Sequence, residues 1–245
     1  MKMNIGLQLH TIRDELKIGY DEAFKRVAET GYTGIELGYS PDSGDNLIEA
    51  MKKHSLTGIA VHMSCGDIEN DYDNVKAFVK RADTKIMITG FGEGDLDTIE
   101  KSVSCAKQLD ELAKKVGQDG YILGCHNHWW EFTERFDGKT VMDIFLENSE
   151  VFKFETDIGW AFFAGADVVK YINKLGNRIA LVHIKDVTAD KKLTEIGSGA
   201  LNMKAALDAA HNIGVNWGIV EQDDNFAVSP FESIKTSYDY LKTII

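Results

Sequence analysis

The fold class that this sequence predicts is a single-domain parallel (β/α)8 TIM barrel spanning residues 1–245, and three observations predict it. Eight short β-rich apolar runs alternate with amphipathic helical segments from end to end. The runs begin roughly every 24 to 38 residues, the length of one strand-helix unit. Within the runs, side chains alternate between an apolar face and a face that turns polar toward the C-terminal end. A chain of 245 residues that is 44% hydrophobic is long enough to bury one large core.

The strand candidates in order are residues 4–10, 33–38, 57–64, 85–89, 121–128, 152–157, 179–185 and 217–223. Helical spacing falls on 20–30, 47–54, 72–82, 96–116, 141–146, 166–175, 201–213 and 230–245. In the first strand Ile5, Leu7 and Leu9 share one face and Gly6, Gln8 and His10 the other. In the second, Ile35 and Leu37 oppose Glu36. The same parity groups His62 with Ser64, His126 with His128, Glu155 with Asp157, His183 with Lys185, and Glu221 with Asp223. An open doubly wound sheet shares the alternation, but a closed barrel brings all of these polar ends to one mouth, where the βα loops surround a pocket. Of seven histidines, His10, His62, His126, His128 and His183 sit at strand ends, and His54 and His211 on helices.

Charge and cysteine usage narrow the function classes. A net charge of −12 opposes a non-specific phosphate-backbone binder, so no nucleic-acid partner is expected. The three cysteines, Cys65, Cys105 and Cys125, show no CxxC spacing and fit a reduced, cytoplasmic protein. No apolar run approaches a membrane span and no leader pattern opens the chain, so no membrane partner is expected. A serine-hydrolase elbow, a P-loop and a dinucleotide-binding glycine pattern are all absent from the sequence.

Asp157, His183 and Glu221, one from each of the last three strands, form a donor set of two carboxylates and an imidazole. Without a thiolate, such a set suits one divalent ion: Mn²⁺, Mg²⁺, Co²⁺ or Zn²⁺. His126 and Glu131 compete for the fourth ligand position. Ordinary hydrogen bonds and ion pairs inside the barrel are the bland alternative for the whole set. Lys185, on the face of His183, is a candidate to stabilise developing enediolate charge, or else a salt-bridge partner of Glu155 or Asp157. Asp186, of opposite parity, reads as a cap or loop anchor, and Cys125 as packing directed away from the pocket. His10, Glu36, His62, His128, Trp130 and Trp160 are candidate substrate contacts; indole faces pack on sugar C-H surfaces but equally bury area for its own sake. Gly197-Ser198-Gly199 opens a helix, where backbone N-H groups can hold an anion, which adds Ser198 as a candidate contact.

The segments GLQLHTIRDEL, HNHWWEF, FETDIGWAFFAGAD, LGNRIALVHIKD, IGSGALNMKAAL, GVNWGIVEQDD and SPFESIKTSYDYL together resemble the sugar phosphate isomerase/epimerase family of the xylose isomerase-like (AP endonuclease 2-type) barrels. The superfamily includes ketose 3-epimerases, hydroxypyruvate isomerase, inosose dehydratase and endonuclease IV. The resemblance implies metal ligation by Asp157, His183 and Glu221. Ketose epimerases carry a further glutamate on the fifth strand that binds metal and exchanges a proton; here that position is His126, and Glu131 follows five residues later. The expected activity is a metal-dependent isomerase or epimerase of a small sugar, keto-sugar or polyol acting through an enediolate, with Glu221 or Glu131 as base and Lys185 assisting. The alternatives are a lyase or dehydratase that eliminates from the same enediolate, an endonuclease-IV-like phosphodiesterase, and a non-catalytic sugar-binding protein. A carbohydrate is the expected partner, and a homo-oligomer stays open.

Overall fold

A computed structural model of the chain describes residues 3–42 and 44–245. Its strands and helices in chain order are β1 (Asn4–Gln8), α1 (Tyr20–Thr30), β2 (Gly34–Gly38), α2 (Gly44–Lys53), β3 (Thr57–His62), α3 (Cys65–Asn70), α4 (Tyr72–Arg81), β4 (Ile86–Thr89), α5 (Ile99–Gln118), β5 (Ile122–His126), α6 (Val141–Glu147), β6 (Lys153–Asp157), α7 (Ile158–Phe163), α8 (Val168–Leu175), β7 (Ile179–Ile184), β8 (Asp186–Val187), β9 (Leu193–Thr194), α9 (Met203–Asn212), β10 (Trp217–Val220) and α10 (Pro230–Ile244). Eight parallel strands close into a barrel in the order β1, β10, β7, β6, β5, β4, β3, β2, while β8 and β9 form a separate antiparallel hairpin.

The period-two pattern explains the closure. Leu7, Ile35, Val61, Met87, Leu123, Phe154, Val182 and Val220 point outward and are buried in one core with the helices. Each such side chain contributes roughly 1.5–3 kcal/mol through its burial. The opposite faces enclose a small apolar plug of Ile59, Ala60, Ile88, Leu181 and Ile219. At Gly6 a Cβ would lie 2.1 Å from the Ile59 Cδ1 atom, so the missing side chain makes room for the plug. Above this floor the inward positions become polar.

The helices start where short polar side chains cap them. Thr98, Asp167, Asn202 and Ser229 accept the first-turn N-H groups of α5, α8, α9 and α10, and Thr140 and Asp143 form a reciprocal box at α6. The entry to β6 is fastened from below: Asp110 accepts the N-H groups of Glu150, Val151 and Phe152, and Arg178 donates to the carbonyls of Phe152 and Ser149. This matters because β6 carries two carboxylates into the mouth. Two short helices, α3 and α7, and the β8–β9 hairpin add to the predicted elements. Ser64 and Asp67 cap α3 reciprocally, and the Asp157 carboxylate caps α7 through the Trp160 N-H.

Candidate metal centre and pocket

The C-terminal strand ends bring six inward side chains into one buried layer. Glu36, Glu155, Asp157 and His183 are fully buried, and His126 and Glu221 each retain 7% exposure. One oxygen of Glu155 lies 2.9 Å from His62 Nε2, 3.0 Å from His126 Nδ1 and 3.1 Å from His183 Nε2. One oxygen of Glu36 accepts from Gln8 Nε2 at 2.8 Å and lies 2.5 Å from His183 Nε2. On its other side, His183 Nδ1 is 3.0 Å from Glu221.

These contacts assign the ring orientations. His126 presents Nδ1 to Glu155, which leaves Nε2 for another partner, and His183 presents Nε2 to Glu36 and Nδ1 to the Glu221 side. A ligating histidine typically donates its second ring N-H to a carboxylate, which fixes its tautomer. Glu155 and Glu36 therefore stand behind the two imidazoles as orienting groups.

Among the described residues, two sets of four offer ligand atoms lying within 4.8 Å of one another: His126, Asp157, His183 and Glu221, and His62, His126, Glu155 and His183. The first set fits a divalent ion. Asp157 Oδ1 caps Trp160 at 2.8 Å, but its buried Oδ2 accepts no hydrogen bond among the described residues and faces the Lys185 ammonium at 3.3 Å. Two imidazoles and two carboxylates without sulfur match a hard to borderline cation. In the second set the histidines and Glu155 already satisfy one another.

At His183, His62, Glu155, Glu221 and Lys185 burial opposes charge, and the pairings outweigh it. The Glu155 and Glu36 carboxylates raise His183 well above the ordinary imidazole range and bring His62 up to about 10, against desolvation. Despite burial, His183 and His62 hold Glu155 well below the usual carboxylate range, and Lys185 and His183 do the same for Glu221. Lys185, 1% exposed, is raised by Asp157, Glu221 and Asp223 in spite of its desolvation. Its Nζ lies 3.3, 3.1 and 2.5 Å from those three carboxylates and 4.5 Å from the centre of the Trp160 ring. A Cβ on Gly159 would come within 2.5 Å of the Lys185 carbonyl oxygen, so glycine lets α7 press Trp160 onto the lysine.

The layer opens into a cavity of about 500 Å³ whose walls include Gln8, His10, Tyr39, His62, His128 and Trp160. His10 is the exposed residue of an otherwise buried 3-10 turn, 3.9 Å from Asp223. His128 stacks on Trp130 at 4.1 Å, and Trp130 itself packs against the core. Glu131 lies outside both ligand sets. Its buried carboxylate accepts the His128 N-H at 2.9 Å, and its other oxygen has no hydrogen-bond partner among the described residues. Ser198 is exposed on its loop, apart from the cavity lining. Asp186 anchors that loop: one oxygen accepts the N-H groups of Gly197 and Gly199 at 2.9 and 3.1 Å, and the other accepts that of Val187. The chain's own carboxylate thus fills the anion cradle. Cys125 is buried on the outer face, with its thiol pushed well up by desolvation.

Four contributors were not among the candidate metal, catalytic or substrate-binding residues read from the sequence. Glu155 shares the parity of Asp157, which signalled its face but not its depth. Asp223 pairs with Lys185 as the parity of the last strand allows. Gln8 orients Glu36, and Asn127 ties β5 to β6 by accepting the Asp157 N-H and donating to its carbonyl. Asn127 lies on the outward parity, where sequence offered no signal.

Comparison with known proteins agrees with this architecture. The xylose isomerase-like TIM barrel family matches residues 24–244. An inosose dehydratase of Mesomycoplasma hyopneumoniae is 24% identical, with 93% of this chain and 89% of that protein covered. A sugar phosphate isomerase/epimerase from Parabacteroides distasonis superposes with a TM-score of 0.85 at 20% identity, over 99% of this chain and 94% of the other. The IolI protein, solved with a zinc atom, superposes with a TM-score of 0.70 at 17% identity, over 99% and 98%. The closed barrel, its polar mouth and the match over most of its length place this chain in the xylose isomerase-like TIM barrel family.

Proposed function

We propose that this protein is a divalent-metal-dependent enzyme that removes the proton α to the carbonyl of a keto-sugar or cyclic keto-polyol, and that the enediolate then expels a β-oxygen substituent. The division of charge at the mouth carries this reading. Glu221 is held ionised beside a cationic Lys185, both line the cavity, and Glu131, one oxygen of which accepts the His128 N-H, lies outside that lining. Elimination needs one base and one acid, which these two residues supply.

His126, Asp157, His183 and Glu221 would hold the ion, which supplies Lewis-acid polarisation of the carbonyl and its neighbouring hydroxyl. Glu221 takes the α-proton. Lys185 stabilises the developing oxyanion and protonates the departing oxygen. His62, reaching the cavity from β3, orients a substrate hydroxyl. Asp157 and Asp223 keep the Lys185 ammonium in place, and the indole of Trp160 shields it from water. The similarity to an inosose dehydratase over most of both chains supports elimination. The self-filled cradle at Gly197 and Gly199 supports a substrate without phosphate there. The proposed partner is a small carbohydrate alone, with neither nucleic acid nor membrane; no helix among the described residues is long and apolar enough to cross a membrane.

Isomerisation or epimerisation is the second reading, favoured by the likeness to the Parabacteroides isomerase/epimerase. It requires the Glu131 carboxylate to leave the His128 N-H and face the substrate. Incubating the metal-loaded protein with an inosose or a keto-sugar in deuterated water separates the two. Loss of one water supports elimination, whereas retained mass plus deuterium in the recovered sugar overturns it in favour of isomerisation. Absence of any turnover or exchange with metal bound refutes both.

A further inference from the structure

Beside the cavity over the candidate metal centre lies a second one of about 440 Å³, within the ~300–1,000 Å³ range of small-molecule sites, lined by Trp129, Trp160, Phe163, Lys191, Leu193 and Asn225 among others. Trp160 lines both cavities, and Trp129 follows His128, which lines the first. We infer that this second cavity is a subsite for a second sugar ring, so that the substrate is a glycoside of the keto-sugar and not a free monosaccharide. The inference rests on the keto-sugar reading of the first cavity.

The floor is aromatic and only half-buried. Trp160 and Phe163 meet at 78° with centroids 5.4 Å apart, and Trp129 joins Phe163 at 6.1 Å. Three half-exposed aromatic rings beside a reactive site offer π faces to the C-H face of a pyranose. The rim is polar and mixed in charge, with Lys191, Lys192 and Asp224, and Lys192 is paired with Asp190. Such a rim suits hydroxyl groups better than an anion.

The walls are prebuilt. Asn225 donates to the Leu193 carbonyl at 2.7 Å, which ties the loop after β10 to the β8–β9 hairpin. Gln222 donates to the carbonyls of Asp224 and Asn225, so the same loop is fastened from behind. Lys191 occupies the hairpin turn with φ 61°, and its ammonium lies 5.2 Å from the centre of the Phe163 ring. A subsite with fixed walls spends little of its interaction energy on ordering.

Unreactive glycosides test this without turnover. Methyl β-glucoside, methyl β-cellobioside, methyl β-maltoside and a nitrophenyl β-glucoside would be titrated into the metal-loaded protein and followed by intrinsic tryptophan fluorescence and calorimetry. The expected result is that one of the disaccharides binds about tenfold more tightly than the monosaccharide, the gain of one good ring contact. Phe163→Ala and Lys191→Ala should abolish that gain while leaving monosaccharide affinity in place. Equal affinity of mono- and disaccharides, a gain that survives both substitutions, or a gain shown by the nitrophenyl glucoside alone would overturn the sugar subsite. Failure of every probe to bind would also overturn it, and turnover of a free keto-sugar in that case would leave the first-cavity reading standing.

Discussion

Replacing Glu155 by glutamine tests whether the buried carboxylates act by orienting the imidazoles. The substitution keeps the side chain's shape and removes its charge. In the protein one Glu155 oxygen serves His62, His126 and His183 at 2.9 to 3.1 Å with no solvent access. Hydrogen bonds to a charged group contribute about 1.5–3 kcal/mol each, and breaking a buried ion pair costs about 3–5 kcal/mol. A neutral amide holds the His126 N-H more weakly than the carboxylate and leaves no charge to face His62 and His183, so the metal-free variant should lose stability toward the lower end of that range. The sharper readout is metal affinity, because His126 presents Nε2 to the site only while Nδ1 is held from behind. Loss of such an orienting partner lowers affinity about 10–100-fold, equivalent to ~1.4–2.7 kcal/mol. Competition against a chelating dye, run beside a thermal melt, measures both. An affinity within about twofold of the parent, with the expected drop in stability, would refute the orienting role.

Other consequences follow from the same geometry. Lys185→Met should lower turnover by about 10²–10³-fold while metal affinity holds or rises, since a cation is removed from beside Asp157 and Glu221; a parallel fall in both would show that the lysine is merely structural. Gly159→Ala places a Cβ 2.5 Å from the Lys185 carbonyl oxygen, and such overpacking costs about 1–3 kcal/mol. At roughly 2–4 °C per kcal/mol the melting temperature should fall by several degrees, and an unchanged melt would show that α7 shifts freely. In the metal-free protein His62 is raised from 6.5 to about 10, so its contribution to stability is full below pH 6.5 and is lost as pH rises through about 10. The ligand imidazoles must be unprotonated to bind an ion, so metal affinity should rise with pH with release of protons. Calorimetry in buffers of different ionisation enthalpy checks this, and a buffer-independent heat would contradict it.

All eight barrel strands were legible because period-two burial is a local signal that each strand carries by itself. Leu7, Ile35, Val182 and their counterparts read as outward before any contact is known. The strand ends were less legible. The apolar pattern runs on to His10, His128, Lys185 and Asp223, but ladder pairing stops at Gln8, His126, Ile184 and Val220, where the chain turns at the mouth. His10 therefore points out from a 3-10 turn after the strand, exposed, and His128 is stacked on Trp130.

Parity assigns a face but not a depth, which separates Glu155 from Asp157. Both point inward; one lies behind the histidines, while the other turns an oxygen that faces the Lys185 ammonium toward the set they form with Glu221. The fate of Gly197-Ser198-Gly199 depended on Asp186, eleven residues before Gly197, whose carboxylate occupies the cradle. Helices α3 and α7 are only six residues each, too short for helical periodicity to register.

The most direct test of the account is a crystal structure of the metal-soaked protein with anomalous data at the metal edge. The account predicts one ion per chain, ligated by His126 Nε2, Asp157 Oδ2, His183 Nδ1 and Glu221, with Glu155 and Glu36 on the far sides of the two imidazoles. An ion bound by Glu131 with His126 displaced, an ion seated between Glu155 and His62, or no ion in the barrel mouth would contradict it.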